Sequence, residues 1–387
     1  MEVKQVFNIV NSVTQSLIGE TEVVNEDLSN IVDIGNTIEN VAGIDNYVKK
    51  LVDHIGKMIF VDRPYSGSVP SVLMDGWEYG SILEKVSYDG LPEATENESW
   101  ELQNGQSYDV NIFTQPKVSA KFYNKRVTFE VPMSFAHRQV KSAFSSPTQL
   151  NAFFSMIHNA VEKSMTLKTD GLISRCINNM MAETFSDTTG IRAVNLYKMY
   201  KERFPEDTTI TIENCISKPE FIRYCSFIMG LYSERLTKLS KLFNAGGKER
   251  FTSKDLQHIV LLSEFKESAS TYLQGDTFHN EYTALPKAET VPYWQGSGTN
   301  YGFNSTSKIN VKNSSGATVE KSGILGVMFD RDALGVSNLD KRVTTNYNPK
   351  GEFYNNWYKF DAGYFNDLNE NFVVFYVEDV ARSRSGN

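Results

Sequence analysis

The stretch that decides the fold is residues 147–185, PTQLNAFFSMIHNAVEKSMTLKTDGLISRCINNMMAETF. Pro147 suits a first helical position, where its missing N–H costs nothing, and Ser145 or Ser146 is available as N-cap. Leu150, Phe154, Ile157, Val161, Met165, Leu172, Cys176 and Met180 then return at helical spacing. At about 1.5 Å per residue the predicted helix is roughly 55–60 Å long. Asp170-Gly171 near its middle weakens it by about 1 kcal/mol relative to Ala, so a bend is expected there. One element therefore crosses most of a domain.

Upstream of this helix the period changes from helical to alternating. Residues 60–80 carry Pro64, Gly67, Pro70 and Gly76 and read as loop. Ser81 to Val86 alternates, which places Glu84 and Lys85 on a strand, and Asp89-Gly90 reads as its turn. A polar stretch follows with Glu93, Glu96, Glu98 and Glu101. Tyr108-Val110-Ile112 and Val127-Phe129-Val131 then resume the alternation. The result is a long hairpin arm with few consecutive apolar residues. Two-stranded ribbons are marginal in water, so the arm has to lie against something else. Further upstream, two apolar stripes (Val3 to Leu17 and Val41 to Ile59) predict helices flanking an acidic, Asn-rich segment.

Downstream, residues 190–285 read as mixed α and β. Helices are expected near 192–204 and 218–243, the second stopping at Asn244-Ala245-Gly246-Gly247. A strand at His258–Leu262 and a helix through Tyr272 follow. Ile309 and Val311 pair back through an Asn313–Gly316 turn with residues 317–320. Two continuous apolar runs, Ile324–Phe329 and Phe372–Val377, predict buried strands.

Composition narrows the function. Apolar residues make up 40% of the 387, aromatics 12% and charged residues 22%, which is a globular and not a disordered profile. The net charge of −8 argues against a generic basic nucleic-acid binder. Cys176, Cys215 and Cys225 form neither a disulfide framework nor a zinc pair, and Cys176 falls on the apolar stripe. His54, His137, His158, His258 and His279 are scattered, with no HExxH pair. Gly246-Gly247-Lys248 lacks the spaced glycine and following Ser/Thr of a phosphate loop, and reads instead as a helix stop. Asp330-Arg331-Asp332 reads as an ion-pair cluster or a turn. No catalytic, cofactor or metal residue is assigned, and no membrane partner is expected, since no apolar run nears the roughly 18–20 residues of a span.

The order of parts resembles that of the Hong Kong 97-like major capsid proteins of tailed bacteriophages. The resemblance rests on Lys125–Ser134 leading into Ser146-Pro147 and the long helix, on Val291–Gly296, on Ile324–Gly335 and on Phe372–Val377. It implies an α+β capsid fold divided as follows: N-terminal arm and helix (1–60); E-loop hairpin with peripheral strands (61–135); spine helix of the peripheral domain (136–190); axial domain (191–365); and a C-terminal strand (366–387). It also implies a virion protein, assembled in the host bacterial cytoplasm as pentamers and hexamers of an icosahedral shell around double-stranded DNA, with no cofactor. Glu84, Lys85, Asp89, Glu93, Glu96, Glu98 and Glu101 would then lie on an arm between subunits. Only about 60 residues precede that arm, so the scaffold is expected to be a separate protein beside a portal. Because the chain starts at Met1, no N-terminal maturation cleavage is expected. Lys85, Lys117 and Lys121 in or near the arm read as ordinary surface lysines, so no lysine cross-link is expected either. Three alternatives stay open. One is an encapsulin-like nanocompartment subunit. Another is an α+β enzyme using His258, Cys225 or nearby carboxylates in a pocket. The third is another phage structural part, such as a tail or head-completion protein.

Overall fold

The computed structural model describes residues 11, 14, 69–74, 83–88, 94, 96–108, 111, 113, 115, 117–136, 138, 147–187, 189–274, 288–294 and 307–379. Of the two expected N-terminal helices, only Asn11 and Thr14 are described, both helical; Asp89, Glu93 and the Asp89-Gly90 turn lie outside the described residues.

In chain order the strands are β1 (Leu73–Met74), β2 (Leu83–Tyr88), β3 (Val118–Tyr123), β4 (Arg126–Ala136), β5 (Ala193–Asn195), β6 (Gln257–Leu262), β7 (Glu289–Val291), β8 (Ile309–Lys312), β9 (Thr318–Lys321), β10 (Ile324–Asp330), β11 (Leu334–Asn348), β12 (Phe353–Asn366) and β13 (Phe372–Tyr376). The helices are α1 (Pro147–Phe185), α2 (Leu196–Arg203), α3 (Pro219–Leu236) and α4 (Ser263–Gln274). The chain forms two compact units, and α1, β11 and β12 each contribute residues to both.

The described residues of the first unit fall within 1–81, 125–173 and 336–363. Its sheet runs β1-β11-β12-β4, with β12 antiparallel to β4 so that Phe360 opposes Phe129. Alternate residues of β12 are buried, among them Tyr354, Tyr358, Phe360 and Ala362, as the two-residue period of a half-covered strand demands. On α1, Ile157, Val161 and Met165 are fully buried at four-residue steps, while Met156 and Leu167 on the other side are exposed. Phe153 meets Phe135 of β4 edge to face at 5.4 Å, joining helix to sheet. The helix continues without interruption through Asp170-Gly171, and residues 169–173 are buried on every side.

The second unit contains residues 82–124, 174–335 and 364–387. It is built on the sheet β5-β13-β10-β6-β7. Every residue of β10 is buried, which is why it reads as a continuous apolar run rather than an alternating one. Gly326 sits where the β10–β13 register shifts, and a Cβ there would meet Leu261 Cδ2 at 2.5 Å and Val260 O at 2.9 Å. Gly326→Ala should therefore cost about 1–3 kcal/mol through overpacking. A chemical-denaturation midpoint unchanged from wild type would contradict that close approach. Phe329 stacks on Phe372 at 5.6 Å, and Tyr232 of α3 meets Phe375 at 5.5 Å, so α3 covers this sheet. The last turns of α1 are held here too. Asn366 donates to the Cys176 carbonyl at 2.7 Å, and Ser314 in the β8–β9 turn bonds to Glu183.

Three expectations need correction. Residues 108, 111 and 113 are not in a strand; the partner of β2 is Val118–Tyr123 instead. Helix α3 stops at Leu236 and not near 243, because Ser240 and Arg250 exchange backbone hydrogen bonds and turn the chain into a loop. Gly246-Gly247 belongs to that loop and is not a helix cap: Gly246 N donates to Leu368 O at 2.8 Å, and a Cβ on it would collide with Asn369. Residues 336–363 fall in the same compact unit as β4. Asp330-Arg331-Asp332 is a turn, with Asp330 Oδ1 accepting from Asp332 N and Oδ2 from Thr252 Oγ1.

Candidate assembly surface

The arm begins as the β2–β3 ribbon, and its two faces differ. Side chains alternate along a strand, so Lys85 and Lys121 oppose each other on one face, while Glu84 and Val86 share the other with Phe122 and Ala120. The lysine face is bound to its own chain. Lys85 Nζ lies 2.7 Å from Glu370 Oε1 and 3.1 Å from Asp367 Oδ2. Lys121 Nζ lies 3.1 Å from Asp367 Oδ1, and Arg250 Nε 3.2 Å from Glu370. The Tyr123 ring packs against Phe365 at 5.1 Å. These are not the ordinary surface lysines the sequence suggests: they clasp the base of the arm to the turn between β12 and β13.

The electrostatics of this clasp follow from burial and pairing. Burial alone would raise the Asp367 carboxyl, but the charge of Lys85 and hydrogen bonds from Asn369 N, Lys85 and Lys121 hold it below its ordinary value. Burial likewise disfavours the Lys85 ammonium, yet Glu370 and Asp367 together raise its pKa. Burial and the nearby Asp367 charge push the Tyr123 hydroxyl far above the phenol range. The depressed carboxyl contributes stability above its unfolded value of 3.8, which is lost as pH falls through its folded pKa. The raised ammonium contributes below 10.5 and is lost as pH rises through its folded value. Burial raises the Glu370 carboxyl above its ordinary value despite Lys85 and Arg250, so it is the Asp367–Lys85 pair that carries the clasp across the neutral range. Lys85→Ala should lower stability by roughly 1.5–3 kcal/mol, the worth of hydrogen bonds to a charged group. Denaturant titration at neutral pH checks this; an unchanged midpoint would contradict the clasp.

Beyond the base, several described apolar side chains of the arm are exposed. Trp100 is 96% exposed and Phe113 85%. Leu102, Val86 and Phe122 are each more than half exposed as well. Large apolar side chains displayed together on a protein surface mark a contact waiting for a partner. Residues 86–116 also contain six Asp/Glu and no Lys or Arg. Among the predicted arm residues, Glu84, Glu96 and Glu101 are exposed, Lys85 is half-buried in the clasp, and Glu98 stands in a short 3-10 turn, Glu98–Trp100. The predicted stripe of α1 forms a core: Ile157, Val161, Met165, Leu172, Cys176 and Met180 are all buried, while the side chains of Leu150 and Phe154 lie outside the described residues. Sequence reasoning missed the carboxylate side of the clasp. Asp367 and Glu370 lie some 250–290 positions from their lysines, and only their position before the apolar run of β13 marks them.

The residues weighed for catalysis do not assemble a reactive group. Cys225 is buried on α3, and burial pushes its thiol well above the ordinary value, away from the nucleophilic thiolate. His258 sits on β6 beside the Phe329 ring at 5.9 Å, and burial lowers its pKa. Among the described residues no group of three His, Cys, Asp or Glu side chains is placed to hold a metal ion. No described helix is long and apolar enough to cross a membrane.

Many solved chains are similar to this one, chains of phage particles among them. A chain of the Staphylococcus phage Andhra capsid matches at 11% identity, covering 82% of this chain and 86% of that one, with a TM-score of 0.47. A chain from the structure of the head fiber and inner core protein of bacteriophage P68 matches at 11% identity over 82% and 86%, with a TM-score of 0.48. One from the cyanophage P-SCSP1u capsid matches at 9% over 80% and 87%, with a TM-score of 0.43. No curated protein matches the sequence. The sequence model of the Phi29-like phage major capsid proteins, in contrast, aligns with residues 8–376, from the N-terminal stripe to the end of β13. A match of that extent decides the matter: the chain belongs to the Phi29-like phage major capsid protein family, whose members build the phage head shell.

Proposed function

We propose that this subunit builds a closed icosahedral head of pentamers and hexamers by laying its 82–124 arm across a neighbouring copy. In this reading the fold is of the Hong Kong 97-like kind, with 82–124 as the E-loop and α1 as the spine helix. The observation that carries it is the two-faced arm. Its base is fastened to its own chain by Lys85 and Lys121, while its apolar outer face and tip, ending in Trp100 and Phe113, are left to solvent. A ribbon of two strands is marginal alone, so a neighbouring surface would both shelter it and lock the shell. The role is structural and not catalytic. The shell would enclose double-stranded DNA by confinement, which the overall charge of −8 permits, since wrapping a genome needs no strongly basic subunit. Scaffolding and portal proteins would be its partners during assembly in the bacterial cytoplasm.

Electron microscopy of the chain expressed alone and with scaffolding and portal proteins tests this. Closed particles with five- and six-fold capsomers are expected. A compact monomer under both conditions would contradict the reading.

A further inference from the structure

A groove on the second unit has the chemistry to receive the exposed arm. It measures about 500 Å³ and lies between α2 and α3, lined by Tyr200, Arg203, Phe204, Arg223, Tyr224 and Phe227, with Glu220 also on its wall. The rings form a continuous aromatic surface: Tyr200 meets Phe204 at 5.0 Å and Tyr224 at 5.4 Å, and Tyr224 meets Phe227 at 6.4 Å. The Arg203 guanidinium stands over both Phe204 and Phe227, at 5.9 and 5.8 Å. Phe204 and Phe227 are nonetheless 43% and 53% exposed, so the groove is open at its mouth.

Charge separates the groove from the arm. The charged residues that line the groove are Arg203 and Arg223 against the single carboxylate Glu220, in a chain whose net charge is −8. The arm holds six carboxylates between Lys85 and Lys117 and no basic residue, with Trp100 standing among them between Ser99 and Glu101. An indole flanked by carboxylates matches an aromatic groove rimmed by arginines, through ring stacking, cation–π contact and charge attraction.

We propose that Trp100 of one copy seats in the α2–α3 groove of a neighbouring copy, with Glu101 facing Arg203. This rests on the shell reading and adds the surface on which the arm lands. Tryptophan and arginine are the residues that most often dominate a contact, and both are present here.

The test uses the full chain carrying Ser99→Cys and Glu220→Cys, which leave Trp100 and the rings of the groove in place. The native cysteines are all buried, and both new ones would be exposed. Mild oxidation of assembled particles should give a ladder of linked copies on a non-reducing denaturing gel. The same chain carrying Ser99→Cys with Leu242→Cys, an exposed site outside the groove, should give none. Independently, Glu101→Arg or Arg203→Glu alone should lower particle yield at least tenfold, and the two together should restore it. Particles without a ladder, or a ladder equal in the Leu242 control, would overturn the contact and leave the shell reading standing. Failure of the wild-type chain to form any particle would remove the shell reading and this contact with it.

Discussion

Val161→Asp or Met165→Glu should abolish the folded chain. Both side chains are fully buried on α1, in the unit where the helix packs with the β1-β11-β12-β4 sheet. Both neighbourhoods are apolar enough to leave the native side chains wholly covered, and an unpaired buried charge costs about 3–5 kcal/mol. Losing the burial of the original side chain adds roughly 1.5–3 kcal/mol. Against a total stability of about 5–15 kcal/mol, that is most of what holds a domain together. The expected result is protein in the insoluble fraction with no cooperative melting transition. Glu96→Lys and Glu101→Lys, by contrast, change exposed positions on the arm and should leave the melting midpoint within the small range of surface substitutions. Identical behaviour of the two sets would contradict the division into a helix-centred core and an outlying arm.

Replacing Trp100, Leu102 and Phe113 together with Ser should leave the monomer folded and stop shell formation. All three are exposed in the single chain, so their removal costs it no burial. In an assembled shell each would be buried against a neighbour, and truncating a dominant contact residue costs about 2 kcal/mol or more. Even a single such loss per copy raises the concentration needed for assembly roughly thirtyfold, at about 1.4 kcal/mol per factor of ten. Sedimentation velocity at matched concentration reads this directly. Normal particles from the triple variant would show that the arm does not hold the shell.

Much of this architecture is written locally, and its legibility follows from that. Helix α1 begins at Pro147 and carries its buried side chains at three- and four-residue steps, so local rules suffice for its position and length. Strands β10 and β13 are recognisable because burial on both faces leaves an unbroken apolar run. The β11–β12 hairpin is harder. Tyr354, Tyr358, Phe360 and Ala362 alternate, but buried Asn356 interrupts the inward face and Trp357 occupies the outward one, blurring the two-residue period. β3 was misplaced for a different reason. Val118, Phe122 and Tyr123 of VSAKFY suit a strand, but Ser119, Ala120 and Lys121 separate them, and its place is set by pairing with β2 and by Lys121 on Asp367. Both interactions depend on residues far away in the chain. The same holds for the clasp, where the lysines alone look like ordinary solvated side chains until β12 and β13 bring Asp367 and Glu370 beneath them. Charge and exposure on the arm tip, in contrast, need no partner within the chain, and the run of carboxylates around Trp100 is visible from the sequence itself.

A residue-resolution density map of an assembled shell would probe the idea beneath all of this, that each copy leaves a limb for the next one to cover. The account predicts Trp100 and Phe113 enclosed by an adjacent subunit, with Lys85 still joined to Asp367 and Glu370 of its own chain. Limbs standing free in solvent, or folded back onto their own subunit, would contradict it.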